Sequence, residues 1–439
     1  MTYTTIRQLG RGGFGVVELV RADDGSLYAK KTLSVPTHME PAPLVARFHR
    51  EVKYQSAIAH ENVVRIIDHD LDADPPWFVM PFAQGSLQDE MSLDRSLGGD
   101  PRKALFDILS GLEEIHRRGY LHRDLKPANV LQITDEAGAT RYALSDFGLM
   151  AVGEDGVSTL TPSGMGGGTP LYQAPECATN FKRATNRSDI YSFGALLYDI
   201  FSSNPRRLPH DELTLPGEVG PVIEKCTKRS GHRRYKNVEE LRDALFAALT
   251  TFEFTFSSGE EEAVTKLLTS AQFPNAEEWD HILEFIDARE NNLTSCANVF
   301  RALQREHILH INADHSDLLL PLGKHFADYC RKFSFDFDYC DILASKAQMF
   351  YDLGDIQLKS SIAVAMLQLG TNHNRWFVER KFLTMAGNDI ERHLAERISV
   401  ELDVLKIDFD REIAHVCRSI SATPADLHEI LRGKLSSDA

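Results

Sequence analysis

No uninterrupted apolar run of about 18 residues occurs in this chain, which argues against a membrane-spanning helix. The first residues, MTYTTIRQLG, also lack the basic-then-apolar pattern of a secretory leader. Cysteine is sparse: Cys177, Cys226, Cys296, Cys330, Cys340 and Cys417 are scattered without a CxxC pair. That usage suits reduced thiols and argues against a disulfide framework or structural zinc. Basic charge is in deficit as well, with 48 Lys and Arg against 64 Asp and Glu and a net charge of −16. The first 250 residues hold 29 basic against 33 acidic side chains and the remainder 19 against 31. Such a surface repels nucleic-acid phosphates and anionic lipid. The expectation is a soluble, cytoplasmic protein with no nucleic-acid or membrane partner.

At 439 residues and 43% hydrophobic, the chain exceeds one ordinary core and can fill two or three. Residues 3–9, 16–21 and 26–33 are β-type runs separated by glycine turns, which predicts a three-strand meander. A helical pattern over 43–59 follows, then strands near 63–69 and 77–82. From 87 to 249 the periodicity is mainly helical, broken by loops at 120–150 and 155–176. The prediction is an α+β unit over residues 1–250, with a small β-rich lobe over about 1–82 and a larger α-helical lobe over about 85–250. Residues 251–259 read as a connector, and 260–439 as an all-α domain, a solenoid or a bundle. Its amphipathic stretches fall at roughly 260–272, 276–290, 294–307, 316–333, 338–353, 356–369, 374–386, 389–404, 407–420 and 424–435. Pro274, Asn291-Asn292, Pro321, Gly354, Gly370-Thr371-Asn372 and Gly387-Asn388 read as breaks.

The tract His122-Arg123-Asp124-Leu125-Lys126-Pro127-Ala128-Asn129, followed by Asp146-Phe147-Gly148, carries the chemistry. Asp124 can accept a proton from an attacking hydroxyl, and Lys126 can offset charge on a transferring phosphate. Asn129 and Asp146 can hold magnesium against a nucleotide. Upstream, Leu9 leads into Gly10, Gly12, Gly13, Phe14, Gly15 and Val17, a GxGxxGxV hairpin whose backbone can approach phosphates without Cβ clashes. An ordinary glycine-rich turn would share that spacing, so the lysine that follows matters more. Lys30 and Lys31 alternate faces on one strand, and the Ala29-x-Lys31 spacing selects Lys31 for the phosphates, with Ala29 toward adenine. Glu51 on the following helix is the expected carboxylate partner of Lys31, and Glu40 is a poor rival. Met80, Pro81 and Ala83 fit a strand and hinge that receive adenine, although a plain buried strand ending in proline reads the same way.

Together these ordered motifs resemble those of a eukaryotic-like (Hanks-type) serine/threonine protein kinase over residues 1 to about 250. Gly168-Thr169-x-x-Tyr172-x-Ala174-Pro175-Glu176 is similar to the end of that family's activation segment. Ser188-Asp189 is similar to the start of its buried helix, whose Asp holds the catalytic loop. The resemblance implies that Arg234 pairs with Glu176, and that Arg123 can pair with a phosphorylated activation-segment residue. Lys126 with Thr169 resembles the serine/threonine class, so the implied substrate is a protein Ser or Thr hydroxyl, with ATP and Mg²⁺ as cofactors. Thr159, Thr161 and Ser163 are candidate autophosphorylation sites, and plain polar loop residues would look the same.

Two other functions are compatible with parts of this pattern: a nucleotide-binding pseudokinase scaffold, and a kinase for a non-protein substrate. The full set of catalytic groups argues against the first, and the Ala174-Pro175-Glu176 segment against the second. In the tail, His325, Cys330 and Cys340 fit no familiar zinc spacing. Phe333, Phe335, Phe337, Trp376 and Phe377 read as core. The helical tail is expected to recruit substrate, bind a protein partner or restrain the kinase.

Overall fold

The structure, a computed structural model, describes residues 1–11, 15–134, 140–146, 150–151, 170–179, 183–250, 254–289, 295–420 and 422–436. It divides into two units, Met1–Thr250 and Thr251–Ala439. In the first, strands β1 (Tyr3–Arg11), β2 (Gly15–Ala22) and β3 (Leu27–Leu33) form an antiparallel meander. Its second turn is set by Asp24, which accepts the Ser26 N–H at 2.8 Å, and by Gly25 at φ +88°. Helix α1 (Pro41–Ser56) starts with proline in its first turn, where no backbone bond is lost. Strands β4 (Asp68–Asp70) and β5 (Trp77–Pro81) complete a sheet of order β1-β2-β3-β5-β4. Phe48 and Val52 of α1 pack into one apolar cluster with Ala29, Leu33, Phe78 and Met80 of the sheet, the Phe48 and Phe78 rings 5.5 Å apart.

The run at 63–69, expected as one strand, is strand only from Asp68. Its first half is claimed by a different partner. Val63 bridges Leu144, the Val64 N–H donates to the Leu144 carbonyl at 2.9 Å, and the Leu144 N–H donates to the Asn62 carbonyl at 2.9 Å. These bonds tie the segment after α1 to the larger lobe. They also require a close neighbour: a Cβ at Gly111 would sit 2.4 Å from the Asn62 carbonyl oxygen, so only glycine fits there.

The larger lobe begins with β6 (Gly85–Ser86) and α2 (Leu87–Leu93), which starts in a capping box between Ser86 and Asp89. Helix α3 (Arg102–Arg117) and strands β7 (Tyr120–Leu121), β8 (Val130–Thr134) and β9 (Thr140–Leu144) follow. The expected loop region at 120–150 therefore carries β8 and β9, which form a three-stranded sheet with β6 in the order β6-β8-β9, and β7, which pairs with β10 (Met150–Ala151). Helices α4 (Pro175–Thr179), α5 (Asn186–Phe201), α6 (Gly220–Cys226) and α7 (Val238–Leu249) complete the lobe. Apolar on nearly every face, α5 is buried along most of its length.

The second unit is helical: α8 (Gly259–Thr269), α9 (Ala276–Asp287), α10 (Ala297–Ala302), α11 (Arg305–Asp314), α12 (Leu319–Lys332) and α13 (Phe337–Leu353), then α14 (Ile356–His373), α15 (Trp376–Ala386), α16 (Arg392–Val404), α17 (Phe409–Ile420) and α18 (Glu429–Arg432). Five helices, α12, α13, α15, α16 and α17, pack on α14, so the unit is a bundle about one central helix rather than a nearest-neighbour stack. The unbroken buried run from Ile362 to Leu367 explains why α14 takes that place.

Several expected boundaries differ. Gly370-Thr371-Asn372 does not end α14, which runs on to His373 and closes at Asn374 in the left-handed region. Gly370 instead admits α15, since a Cβ there would lie 2.8 Å from Glu379 Cγ. Pro321 sits in the first turn of α12, where a missing N–H costs nothing. The stretch 294–307 is divided between α10 and α11 because the Gln304 backbone N–H donates to His307 Nδ1 at 2.9 Å and starts a new helix. Of 424–435, only Glu429–Arg432 is α-helical, after a 3₁₀ turn. His325 Nε2 lies 2.6 Å from Asp287, Cys330 and Cys340 are buried, and Phe335 packs against Tyr329, Tyr339 and His373. Among the described residues no helix is long and apolar enough to cross a membrane.

Candidate active site

Strand β3 presents Ala29 and Lys31 to one face and Lys30 to the other, where its ammonium lies 4.3 Å over the Trp77 ring. On the inner face, Lys31 Nζ is 2.9 Å from Glu51 of α1 and 2.6 Å from Asp146. Val17 of β2 pairs with Lys31, and at Gly15, two residues before it, a Cβ would crowd the Thr32 carbonyl at 3.3 Å and reach Lys31 Cε at 3.4 Å.

Burial alone would lower the Lys31 pKa, but the Asp146 and Glu51 charges outweigh it and hold the ammonium well above its usual value. Glu51 is pushed up by burial, and Asp146 adds to that push while Lys31 opposes it. Asp146 is densely surrounded by protein, although nearly half its side-chain surface is open to solvent. That enclosure would raise its pKa, yet Lys31, with Lys126 and His122 beyond it, keeps it below the usual carboxylate range.

The loop bearing Asp124 is shaped from below. Arg123 occupies the left-handed region at φ +65°, a costly conformation for a side chain with a Cβ. Asp189 of α5 holds it there, accepting the His122 N–H at 2.9 Å and the Arg123 N–H at 2.8 Å, with His116 Nε2 also 2.8 Å away. Burial would raise the Asp189 pKa, but the His116 hydrogen bond and the nearby His116 and His122 charges lower it on balance. Asp124 Oδ2 is then 2.8 Å from Lys126 Nζ and 3.0 Å from Asn129 Nδ2, which also donates to the Asp124 carbonyl at 2.8 Å. The Asn129 carbonyl in turn accepts Ser145 N–H and Oγ–H at 2.9 and 3.0 Å, binding this loop to the residue before Asp146. Asp146 itself is at φ +54°.

Leu9, Val17, Met80 and Ala83 join Ala29 in the apolar cluster that holds Phe48 and Phe78, and so do Leu131 and Ala143 of the larger lobe. Sequence reading missed those last two. The signal for Leu131 was its place two residues after Asn129, on a strand whose alternate residues, Leu131 and Ile133, both join that cluster. The Gln84 N–H donates to the Gln132 carbonyl at 3.0 Å, which ties the segment after β5 to β8. Gly12, Gly13 and Phe14 lie outside the described residues, as do Phe147, Gly148, Thr159, Thr161, Ser163 and Thr169.

Behind the loop, Glu176 receives Arg234 NH1 and NH2 at 2.7 and 2.9 Å and Ser188 Oγ–H at 2.7 Å. Burial would raise the Glu176 pKa, but these hydrogen bonds hold it low.

A small antiparallel sheet, a larger helical lobe, and a lysine, two aspartates and an asparagine converging between them are the architecture of a protein kinase. Residues 3–251 match the protein kinase domain, and the chain belongs to that family. It is 35% identical over 270 residues to serine/threonine-protein kinase pkn2 of Myxococcus xanthus, covering 56% of this chain and 32% of that one. To Pkn1 of the same organism it is 30% identical, over 56% of this chain and 38% of the other. To AfsK of Streptomyces coelicolor it is also 30% identical, over 60% and 33%. The chain thus spans about a third of the length of these curated relatives.

Proposed function

We propose that this chain is an ATP- and Mg²⁺-dependent serine/threonine protein kinase. The observation that carries the proposal is the double contact of Lys31 with Glu51 and Asp146, which draws strand β3, helix α1 and the segment after β9 together beside Asp124. Lys31, kept charged, orients the α- and β-phosphates of ATP. Glu51 fixes the lysine. Leu9, Val17, Ala29, Met80 and Ala83 enclose the adenine, to which Leu131 is added here, and Gly10, Gly12, Gly13, Phe14 and Gly15 cover the phosphates.

The Asp146 carboxylate and the Asn129 amide oxygen suit magnesium, a hard cation that takes oxygen ligands. Asn129 commits its amide nitrogen to Asp124, which leaves Oδ1 as its acceptor. When bound, the metal would offset charge on the phosphates. Asp124 orients the substrate hydroxyl and accepts its proton, while Lys126, beside it, neutralises charge on the transferring group.

Serine or threonine selectivity is supported by Lys126 two residues after Asp124, and by the names of the relatives. Autophosphorylation at Thr159, Thr161 or Ser163 would give Arg123 a bidentate anionic partner. The helical unit, Thr251–Ala439, is assigned a protein partner or substrate, and the setting is assigned to the cytoplasm.

The test is incubation of the full chain with radiolabelled Mg-ATP and casein, followed by phosphoamino-acid analysis. Label on serine or threonine, absent without magnesium and absent from Asp124→Ala, is expected. Casein labelled no more by the chain than by Asp124→Ala sinks the proposal. Phosphopeptides spanning 155–170 are expected from the active protein, and an unmodified segment there would refute autophosphorylation at those residues.

A further inference from the structure

Helix α5 supports more than the catalytic loop. Near its start, Asp189 holds the backbone of His122 and Arg123, and Ser188 holds Glu176. Ten residues further along, about 15 Å at the usual helical rise, Asp199 receives the Tyr172 hydroxyl at 2.5 Å. It also receives Arg207 Nε and NH2 at 3.0 and 2.8 Å. Arg207 comes from the loop that follows α5, and only 2% of its side-chain surface is exposed. Its remaining terminal nitrogen donates to the Leu171 carbonyl, and its guanidinium lies 4.7 Å from the centre of the Tyr172 ring. From the same loop, His210 Nδ1 is 2.8 Å from the Gln173 carbonyl.

A buried guanidinium is costly unless every donor is matched. Here the matching groups are Asp199 and the backbone and ring of residues 171–172, so the cost is incurred for one purpose, to fasten that segment. Residues 170–173 lead directly into Ala174, which packs against Tyr191 of α5, and on to Glu176, which Ser188 of α5 holds. A protein substrate that places its hydroxyl at Asp124 extends about 3.3 Å per residue to either side, so its neighbouring residues must pass over whatever flanks that loop. A single helix then fixes both the proton acceptor and the flanking surface.

We propose that Arg207 is a positioning residue for protein substrate: it locks residues 170–173 onto α5 so that a bound polypeptide lies in register with Asp124. The proposal rests on the kinase reading. It gives Arg207 no contact with ATP, which separates it from a general stabilising role.

The experiment uses the full chain with Arg207→Gln and Arg207→Lys, measuring KM for casein, KM for ATP, kcat, and amide exchange over 171–173. The glutamine variant is expected to raise KM for casein at least tenfold, with KM for ATP and kcat changed less than threefold and exchange accelerated at 171–173. The lysine variant keeps a charge for Asp199 but loses the fork and the carbonyl bond. It should shift KM for casein in the same direction by less, and it decides the matter if the glutamine variant does not fold. A KM for casein within threefold of the parent, or a parallel rise in KM for ATP, overturns the role of Arg207 and leaves the kinase reading intact. If the parent chain labels no protein at all, the kinase reading falls and this proposal with it.

Discussion

Glu51 on α1 reaches Lys31 on β3 at 2.9 Å, and both side chains are largely withdrawn from solvent. The pair matters because Lys31 also touches Asp146, so removing the glutamate charge would leave the lysine to a single carboxylate. Lys31 would then be drawn toward Asp146 and away from phosphate. Glu51→Gln, nearly identical in shape, is expected to lower kcat/KM by about 10- to 100-fold, which corresponds to roughly 1.4–2.8 kcal/mol. Steady-state assays with labelled ATP test this, and an unchanged kcat/KM would remove Glu51 from the site.

Asp124 is placed by its loop and not by ATP, so its replacement should separate chemistry from binding. Asp124→Asn keeps an acceptor for Lys126 and Asn129 but loses the base. Phosphotransfer is expected to fall by about 10²- to 10⁴-fold, the usual range for a positioned general base. Affinity for ATP, followed by calorimetry, should stay within a few-fold of the parent.

The local part of this site can be read from the chain because it obeys short-range rules. Alternation on a strand separates Lys31 from Lys30, and the spacing from Asp124 to Asn129 is that of one turn held in a loop. What escapes is set by long-range pairing. The valines at 63 and 64 have strand character, but whether they pair with β4's neighbours or with Leu144 depends on which carbonyl is nearest in space. Leu131 and Ala143 join the Ala29 cluster only because the pairing of β8 with β9 brings both strands against it. Gly370 has a helix-breaker's identity, and the approach of Glu379 turns it into a packing residue inside α14. Arg207 stands in an irregular loop with no motif around it. Its partner is fixed by the path of the chain back to Asp199.

Arg234 and Glu176 make a testable contribution to stability. Arg234 is buried, and besides both Glu176 oxygens it donates to the carbonyls of Lys228 at 2.7 Å and Arg187 at 2.9 Å. Arg234→Ala strips the partner from a carboxylate that is mostly withdrawn from water, and a cost of about 3–5 kcal/mol is expected. In a unit of this size that lowers the melting temperature by roughly 10 °C. Because Glu176 and Asp189 are both held below the ordinary carboxylate range, their stabilisation is present above about pH 4 and is lost as the pH falls through their folded values. Melting curves between pH 3 and 7 should therefore show an acid limb, shallower in Asp189→Asn than in the parent.

The helical unit should respond to acid earlier, through His307. Its Nδ1 accepts the Gln304 N–H that opens α11, so the ring is useful only while that nitrogen is unprotonated. Burial lowers its pKa to about 4, with the Lys346 and His310 charges assisting and Glu306 opposing. Above the ordinary histidine value of about 6.5, folded and unfolded forms are both neutral there and no dependence arises. Between about 6.5 and 4 the unfolded chain takes up a proton that the folded one refuses, so stability falls as the pH falls, by about 3 kcal/mol in all. Trp279, buried and 6.2 Å from the His307 ring, provides a local fluorescence signal. Urea unfolding followed by that signal should lose stability steadily from pH 6.5 to 4.5. His307→Gln keeps an acceptor for the Gln304 N–H and cannot titrate, so its stability should stay nearly level over the same interval. An equal slope in parent and variant would place the sensitive group elsewhere in the bundle.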